Sequence, residues 1–316
     1  MKRSEIVAIL ASAGLRPQHQ FGQNFMIDQN ILRAIAEAGD IQPQDIVLEV
    51  GPGVGNLTRL LAEKASDGAV LAVDIDRKLL PAAQAHHAQL TNITWLIADV
   101  LASKHTLNAE VLSQLRSLRL RHPQGQLKLV SNLPYNAASP LIANLLVQMW
   151  QDLKNPPTAQ PPLFFSRLAF TVQYEVGQRM RAAPDTADYG ALGILIQLTS
   201  TVEIVRKIPP GAFWPPPKIH SALVIIEPSR EKMERIGDAM ALQKLLAGLF
   251  SHRRQTLHNA LRHYLQENYT PDLTQQITTL GINLKLRPEA ITPPQFLTLA
   301  KTVQIYTQSR QLTTNN

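Results

Sequence analysis

Between residues 46 and 131 the chain alternates short apolar runs with longer stretches whose apolar positions fall three and four apart. The runs Ile46–Val50, Ala69–Val73, Ile93–Ile97 and Leu127–Ser131 look like parallel strands covered on both faces. Between them, Leu57–Ala65, Lys78–Ala88 and Leu107–Leu118 predict helices. Strand and helix in regular succession imply βαβ units and a doubly wound sheet. A further helix over Pro140–Gln151 runs into a loop containing Pro156, Pro157, Pro161 and Pro162. Strands at Leu163–Thr171, Thr201–Arg206 and Ser221–Glu227 follow. After Pro228 the pattern is helical only. A domain boundary is therefore expected near residue 228, with residues 1–228 forming an α/β domain and residues 229–316 a small all-helical one.

The first residues allow two readings. Lys2-Arg3, an apolar run to Leu10 and then Ala11-Ser12-Ala13 imitate a secretory signal. The run is barely long enough, however, and Glu5 stands at its start. A short amphipathic helix is the better expectation, with Ser4 as its cap and Ile6, Ile9, Leu10 and Ala13 on one face.

Composition narrows the class. Hydrophobic residues at 45% and charged residues at 17% exclude a disordered chain. Cysteine is missing, so disulfides, Cys-based zinc sites and a thiol nucleophile are excluded, and a reducing cytoplasm suits the chain. No metal site is expected. No stretch reaches the roughly 18 apolar residues of a membrane span, so no membrane partner is expected either. The net charge of +7 is uneven: residues 1–228 carry 20 Lys and Arg against 18 Asp and Glu, and residues 229–316 carry 11 against 6. A basic C-terminal segment on a near-neutral body suggests a polyanion-binding surface, with solvated basic helix faces as the alternative.

The first chemical motif is Glu49-Val50-Gly51-Pro52-Gly53-Val54-Gly55-Asn56, between a strand and a helix. Glycines allow a sharp turn and close approach of a ligand, and the helix start offers free N–H groups. The dinucleotide fingerprint requires glycine where Asn56 stands, which makes a nicotinamide enzyme the minor reading. Asp74 ends the second strand, where a carboxylate can accept from both ribose hydroxyls. Asp99 follows the third strand and could receive an adenine amino group. Either residue alone would pass for a helix cap or a loop residue. Combined with Gly51 and Gly53, they indicate a nucleoside cofactor.

Asn132-Leu133-Pro134-Tyr135 follows the fourth strand at the same sheet edge. It suits an exocyclic adenine amine, a poor nucleophile because its lone pair is delocalised into the ring. Accepting hydrogen bonds from both amino hydrogens favours a more tetrahedral, more nucleophilic nitrogen. The Asn132 oxygen can take one hydrogen and the Leu133 carbonyl the other, with Pro134 fixing its direction. Tyr135 offers a face for an extruded base. A proline turn capping a helix is the plain alternative.

With these motifs, the chain resembles the KsgA-type (RsmA) small-subunit ribosomal RNA adenine dimethyltransferases over nearly its whole length. Further matching segments are Phe21-Gly22-Gln23-Asn24-Phe25, Glu175-Val176, Asp188–Leu192, Phe213–Ser221 and Phe250–Leu257. The resemblance implies a Rossmann-like methyltransferase sheet, S-adenosylmethionine as cofactor, and two adjacent adenines near the 3′ end of small-subunit RNA as target. It implies that Asn24 and the backbone at Met26 contact the cofactor beside Gly51, Asp74, Asp99 and Asn132. A sulfonium leaving group makes a strong general base unnecessary. Phe213 is placed like the aromatic that sandwiches the adenine against Tyr135, a core-packed ring being the alternative. Arg253 and Arg254 are candidate phosphate contacts, or simply surface charge. The expected partner is small-subunit RNA or a pre-subunit particle, bound by a cytoplasmic monomer.

The chain departs from the family pattern in places. Tyr174 stands where Lys is frequent. The tracts Ser103–Gln126 and Asn155–Pro162 are long, and the first has a basic end at Arg116, Arg119, Arg121 and His122, either a solvated helix terminus or an RNA contact. Two other functions stay open: large-subunit adenine methylation conferring antibiotic resistance, and a non-catalytic ribosome-assembly factor.

Overall fold

The computed structural model describes Met1, residues 3–12, Gly14, Leu15 and residues 24–314. Lys2, Ala13, Phe21, Gly22 and Gln23 lie outside the described residues. The central strands are β1 (Ile46–Val50), β2 (Ala69–Asp74), β3 (Ile93–Ile97), β4 (Leu127–Asn132), β5 (Phe165–Gln173), β6 (Ser200–Ile208) and β7 (Ser221–Pro228). They form one sheet in the order β3-β2-β1-β4-β5-β7-β6. The first five pair in parallel, and β7 runs antiparallel to β5. The strand order reverses between β1 and β4. Ligands of such sheets bind in the crevice outside the carboxyl ends of the strands at that reversal.

Side-chain alternation explains why the inner strands carry apolar residues on both faces. Val47, Val70, Val130 and Ala169 share a buried cluster with Ile31, Leu32 and Ile35 of helix Gln29–Ala38 and Leu57 and Leu61 of helix Asn56–Lys64. Their chain neighbours Ile46, Leu48, Leu71 and Leu129 point to the opposite face and are buried as well. Each such side chain contributes roughly 1.5–3 kcal/mol by leaving water. Helix Gln29–Ala38 is fixed at its start by Asp28, whose carboxylate accepts from the Asn30 and Ile31 N–H groups.

Several local expectations shift. The first helix spans Arg3–Ser12, so Ser4 lies inside its first turn, while Ile6, Ile9 and Leu10 are buried as expected. The helix expected from Pro140 begins at Tyr135, directly after the Asn132–Pro134 motif, and carries Pro140 within it. In the Ser103–Gln126 tract, a hairpin of Leu101–Ser103 and Thr106–Leu107 precedes helix Ala109–Arg121, which Asn108 caps. Arg116 is neither solvated nor available to RNA. It is buried, bonded to Asp152 at 2.9 Å and to the Pro161 carbonyl at 2.7 Å. Asp152 also accepts the Leu163 N–H at 2.6 Å. This pair therefore ties the proline-rich loop to helices Ala109–Arg121 and Tyr135–Lys154, because a buried ion pair persists only when its remaining hydrogen-bonding capacity is met.

The chain forms two compact units, Met1–Gly177 with Val202–Pro228, and Gln178–Thr201 with the chain from Ser229 onward. Pro228 ends the first unit, near the expected boundary. A single cut at 228 would leave Gln178–Thr201 in the first unit, whereas it lies in the second. Helix Ala191–Thr199 is apolar nearly all round and buries Ile194, Leu195 and Ile196. The Asp185 N–H donates to the Glu289 carbonyl at 2.9 Å, and the Tyr189 hydroxyl to that of Ile291 at 2.8 Å. Lys232 donates to the carbonyls of Gln197 and Ser200 at 3.2 and 2.6 Å. From Ser229 to Thr314 the described chain contains helices only. No described helix is long and apolar enough to cross a membrane.

Candidate active site

The chain leaves β1 at Gly51 and turns through Gly53 and Gly55 into helix Asn56–Lys64, with φ of 73°, 60° and 85° at the three glycines. A Cβ on Gly51 would lie 3.0 Å from the Pro134 ring, and one on Gly55 2.5 Å from the His87 imidazole. Glycine is thus required there by both backbone conformation and space. The Gly51–Pro134 approach also sets the first motif against the second.

Three acidic side chains stand around this turn. Asp74 closes β2 and accepts the Asp76 N–H at 2.9 Å. Burial raises its pKa, while the N–H groups of Asp76, Gly53 and Ile75 pull it back and the charge of Asp76 pushes it up. Asp99, just past β3, is exposed and accepts the Leu101 N–H at 2.9 Å. Glu49 lies within β1 itself, 2% exposed, and its Oε2 has no hydrogen-bond partner among the described residues. Burial lifts its pKa to about 8, the Thr58 hydroxyl opposes that rise and the Asp74 charge adds to it.

Asn132 ends β4 opposite Thr171 of β5. The Thr171 hydroxyl donates to Asn132 Oδ1 at 2.5 Å, and Asn132 Nδ2 donates to the Asn24 carbonyl at 3.3 Å. These two bonds fix which way the amide faces. An amide oxygen has two lone pairs, so one remains for a substrate hydrogen. Pro134, at φ −58° and ψ 129°, keeps the chain extended until it coils at Tyr135. The Tyr135 hydroxyl is 2.8 Å from Ser221 Oγ, and burial raises its pKa against the lowering effect of that bond.

The upstream segment and the Phe213–Ser221 segment meet in a small antiparallel bridge, Phe25 opposite Trp214 and Met26 opposite Phe213. Asn56 Nδ2 donates to the Met26 carbonyl at 2.9 Å. Phe213 is 2% exposed and shares the core cluster with Met26 and Ala212, so its ring is part of a wall. The Phe25 and Trp214 rings stack 6.4 Å apart.

A cavity of about 280 Å³ gathers Asn24, Met26, Gly51, Gly53, Asp74, Asp99, Asn132, Leu133, Pro134, Tyr135 and Phe213. Arg253 and Arg254 belong to the second unit, where both are exposed and Arg253 donates to the Ala187 carbonyl at 3.4 Å. Glu49, Asn56 and Phe25 also line the cavity, and sequence reasoning gave them no role. A carboxylate inside the apolar run Ile46–Val50 was the available signal for Glu49. Thr171, which holds Asn132, offered no local signal. The cavity suits a cationic nucleoside cofactor on its own features: a left-handed glycine turn along its wall, the buried carboxyl of Asp74, and the buried oxygens Glu49 Oε2 and Asn56 Oδ1, which have no hydrogen-bond partner among the described residues.

Strand order, glycine turn and cavity together define a Rossmann-like methyltransferase catalytic unit. A family model for ribosomal RNA adenine dimethylase matches residues 14–304. The ribosomal RNA small subunit methyltransferase A of Magnetococcus marinus is 35% identical over 297 residues, covering 94% of this chain and 95% of its own length. The protein of the same name from Alkaliphilus metalliredigens is 34% identical over 301 residues, with 95% and 96% covered. The chain belongs to the ribosomal RNA adenine dimethylase family. Two solved structures share its fold. A dimethyladenosine transferase from Plasmodium falciparum aligns with a TM-score of 0.65 at 23% identity, covering 90% of this chain and 98% of its own. The 23S rRNA methyltransferase ErmE aligns with a TM-score of 0.55 at 22% identity, covering 89% and 100%.

Proposed function

We propose that this chain dimethylates N6 of two adjacent adenines near the 3′ end of small-subunit ribosomal RNA, using S-adenosylmethionine, on a cytoplasmic RNA or pre-subunit particle. The observation that carries this reading is the meeting of the Gly51–Gly55 turn, Asp74, Asp99 and the Asn132–Tyr135 motif around one cavity. The small-subunit branch is favoured over the large-subunit one by the name shared by the sequence relatives.

When bound, the cofactor supplies an electrophilic methyl group on a sulfonium. The residues of the chain do the rest. Asp74 receives the ribose hydroxyls and Asp99 the cofactor's adenine amino group. Asn132 Oδ1, held by Thr171, accepts one hydrogen of the target amine, and the Leu133 carbonyl accepts the other. This keeps nitrogen lone-pair density available for the new N–C bond as the C–S bond breaks. The surplus proton leaves to solvent. Tyr135, held by Ser221, backs the base with its ring. A second round on the same nitrogen needs fresh cofactor and room for the first methyl group.

The deciding assay incubates labelled S-adenosylmethionine with small and large subunits lacking these methyl groups and then analyses the nucleosides. Dimethyladenine in small-subunit RNA is expected. Label confined to the large subunit moves the chain to the resistance branch, and no label in either, with cofactor binding intact, leaves an assembly factor. For Arg253 and Arg254, the double change to Gln is expected to weaken RNA binding and flatten its salt dependence by roughly 0.7 in log–log slope per lost contact on a single strand. An unchanged slope returns both to plain surface charge.

A further inference from the structure

A strip of the first unit leads away from the cavity along the same sheet edge. It starts at Tyr135, whose hydroxyl meets Ser221 Oγ at 2.8 Å. Ser221 follows His220, whose carbonyl accepts the Tyr174 N–H at 2.9 Å. Tyr174 begins the short helix after β5, and Lys207 Nζ lies over its ring, 4.6 Å from the centroid. Arg206 and Lys207 near the end of β6, and Lys218 and His220 in the approach to β7, are all exposed. Glu175 is the acidic residue next to Tyr174.

Charge on an edge strand has an ordinary use, since lysines there discourage pairing with another sheet. That accounts for Arg206 and Lys207 on β6, the last strand of the sheet. It does not account for an ammonium seated on a half-buried tyrosine ring, nor for Lys218 and His220, which lie off the strand. Aromatic faces combined with cations are how proteins hold single-stranded nucleic acid: rings back the bases and ammonium groups meet the phosphates. From β4 to β6 there are three strand spacings, roughly 14 Å, or about four nucleotides at stacked spacing and fewer in a splayed strand.

We propose that Tyr174, Lys207 and Lys218 form a second nucleotide subsite, which holds the RNA strand beside the extruded adenine. Lys207 and Lys218 meet phosphates of the flanking nucleotides, and the Tyr174 ring seats Lys207 and backs a neighbouring base. The subsite rests on the reading of the chain as an RNA methyltransferase. Its residues position the substrate strand and do not touch the reacting atoms, so their loss acts on RNA affinity and leaves chemistry alone.

The test compares the wild type with Lys207→Gln, Lys218→Gln and the double variant, using unmethylated small subunits, labelled S-adenosylmethionine and a salt series. The double variant is expected to raise KM for RNA about tenfold, to keep kcat within about twofold and cofactor Kd unchanged, and to flatten the salt slope by roughly 0.7 per contact. Tyr174→Phe, which retains the ring, is expected to behave as the wild type, and Tyr174→Leu to raise KM for RNA. If the wild type methylates RNA while the lysine variants keep its KM and salt slope, the subsite is wrong and the proposed function stands. If the wild type labels no ribosomal RNA, the RNA reading itself fails and the subsite with it.

Discussion

Asn132→Ala is expected to lower the rate of methyl transfer by a factor on the order of 10³, while cofactor affinity changes only a few-fold. Removing one preorganised hydrogen-bonding partner of a reacting group costs typically 10²–10³ in kcat in sites of this kind. Asn132 is such a partner because its amide is locked on both sides, by the Thr171 hydroxyl on Oδ1 and by the Asn24 carbonyl on Nδ2. The lock gives a second, graded expectation. Thr171→Val keeps the shape of the side chain but frees the amide to turn, so transfer should fall about tenfold, and Thr171→Ser should restore most of it. Tyr135→Ala should abolish transfer through loss of the stacking face. Tyr135→Phe, which gives up only the bond to Ser221, should retain much of it. Single-turnover transfer measured beside equilibrium cofactor binding separates these effects. Near-normal transfer by Asn132→Ala would overturn the proposed handling of the amine.

The site was legible in the sequence to the extent that it is built from strand ends. Gly51, Asp74, Asp99 and Asn132 each stand at or just beyond the carboxyl end of a strand whose apolar run is plain, so placing the strands placed the residues. Phe213 is different. Its neighbours in the chain identify it, but its ring is buried in the core beside Met26, and only the bridge between two distant segments determines that. Long-range partners were hidden for the same reason. Thr171 reads as one more residue of a strand, and Arg116 reads as part of a basic helix end until Asp152 and the Pro161 carbonyl are seen around it. The Gln178–Thr201 stretch was likewise opaque, since an apolar helix does not announce which body it will pack in. What periodicity records is that a face is buried. It does not record against what.

Glu49→Gln is expected to make the protein more stable and a poorer binder of cofactor. Glu49 is sealed inside β1, and burial holds its pKa near 8 against an ordinary value of 4.5. An acid whose folded-state pKa stands above its unfolded value keeps its proton longer when folded. Between about pH 4.5 and pH 8 the unfolded chain has released that proton and the folded chain has not, so the folded state loses stability as pH rises across that window and no further above it. At about one and a third kcal/mol per pKa unit, the loss is on the order of a few kcal/mol. Gln carries no such proton. Its variant should therefore melt several degrees higher than the wild type at about pH 8 and nearly alike at about pH 4. Cofactor binding should move the opposite way. A cationic ligand beside the unpartnered Glu49 Oε2 favours the carboxylate, so binding expels the proton, and affinity should strengthen as pH rises towards about 8. In the Gln variant that dependence should flatten and affinity near pH 8 should drop tenfold or more. Thermal melts and cofactor titrations across the same pH series test both halves. A variant that is no more stable at pH 8 shows that the carboxyl is not held neutral by its burial. One that binds cofactor as the wild type does, with the same pH dependence, shows that Glu49 does not meet the ligand's charge. The expected outcome links the two, since the desolvation that burdens the empty fold is the same feature that prepares the cavity for a cation.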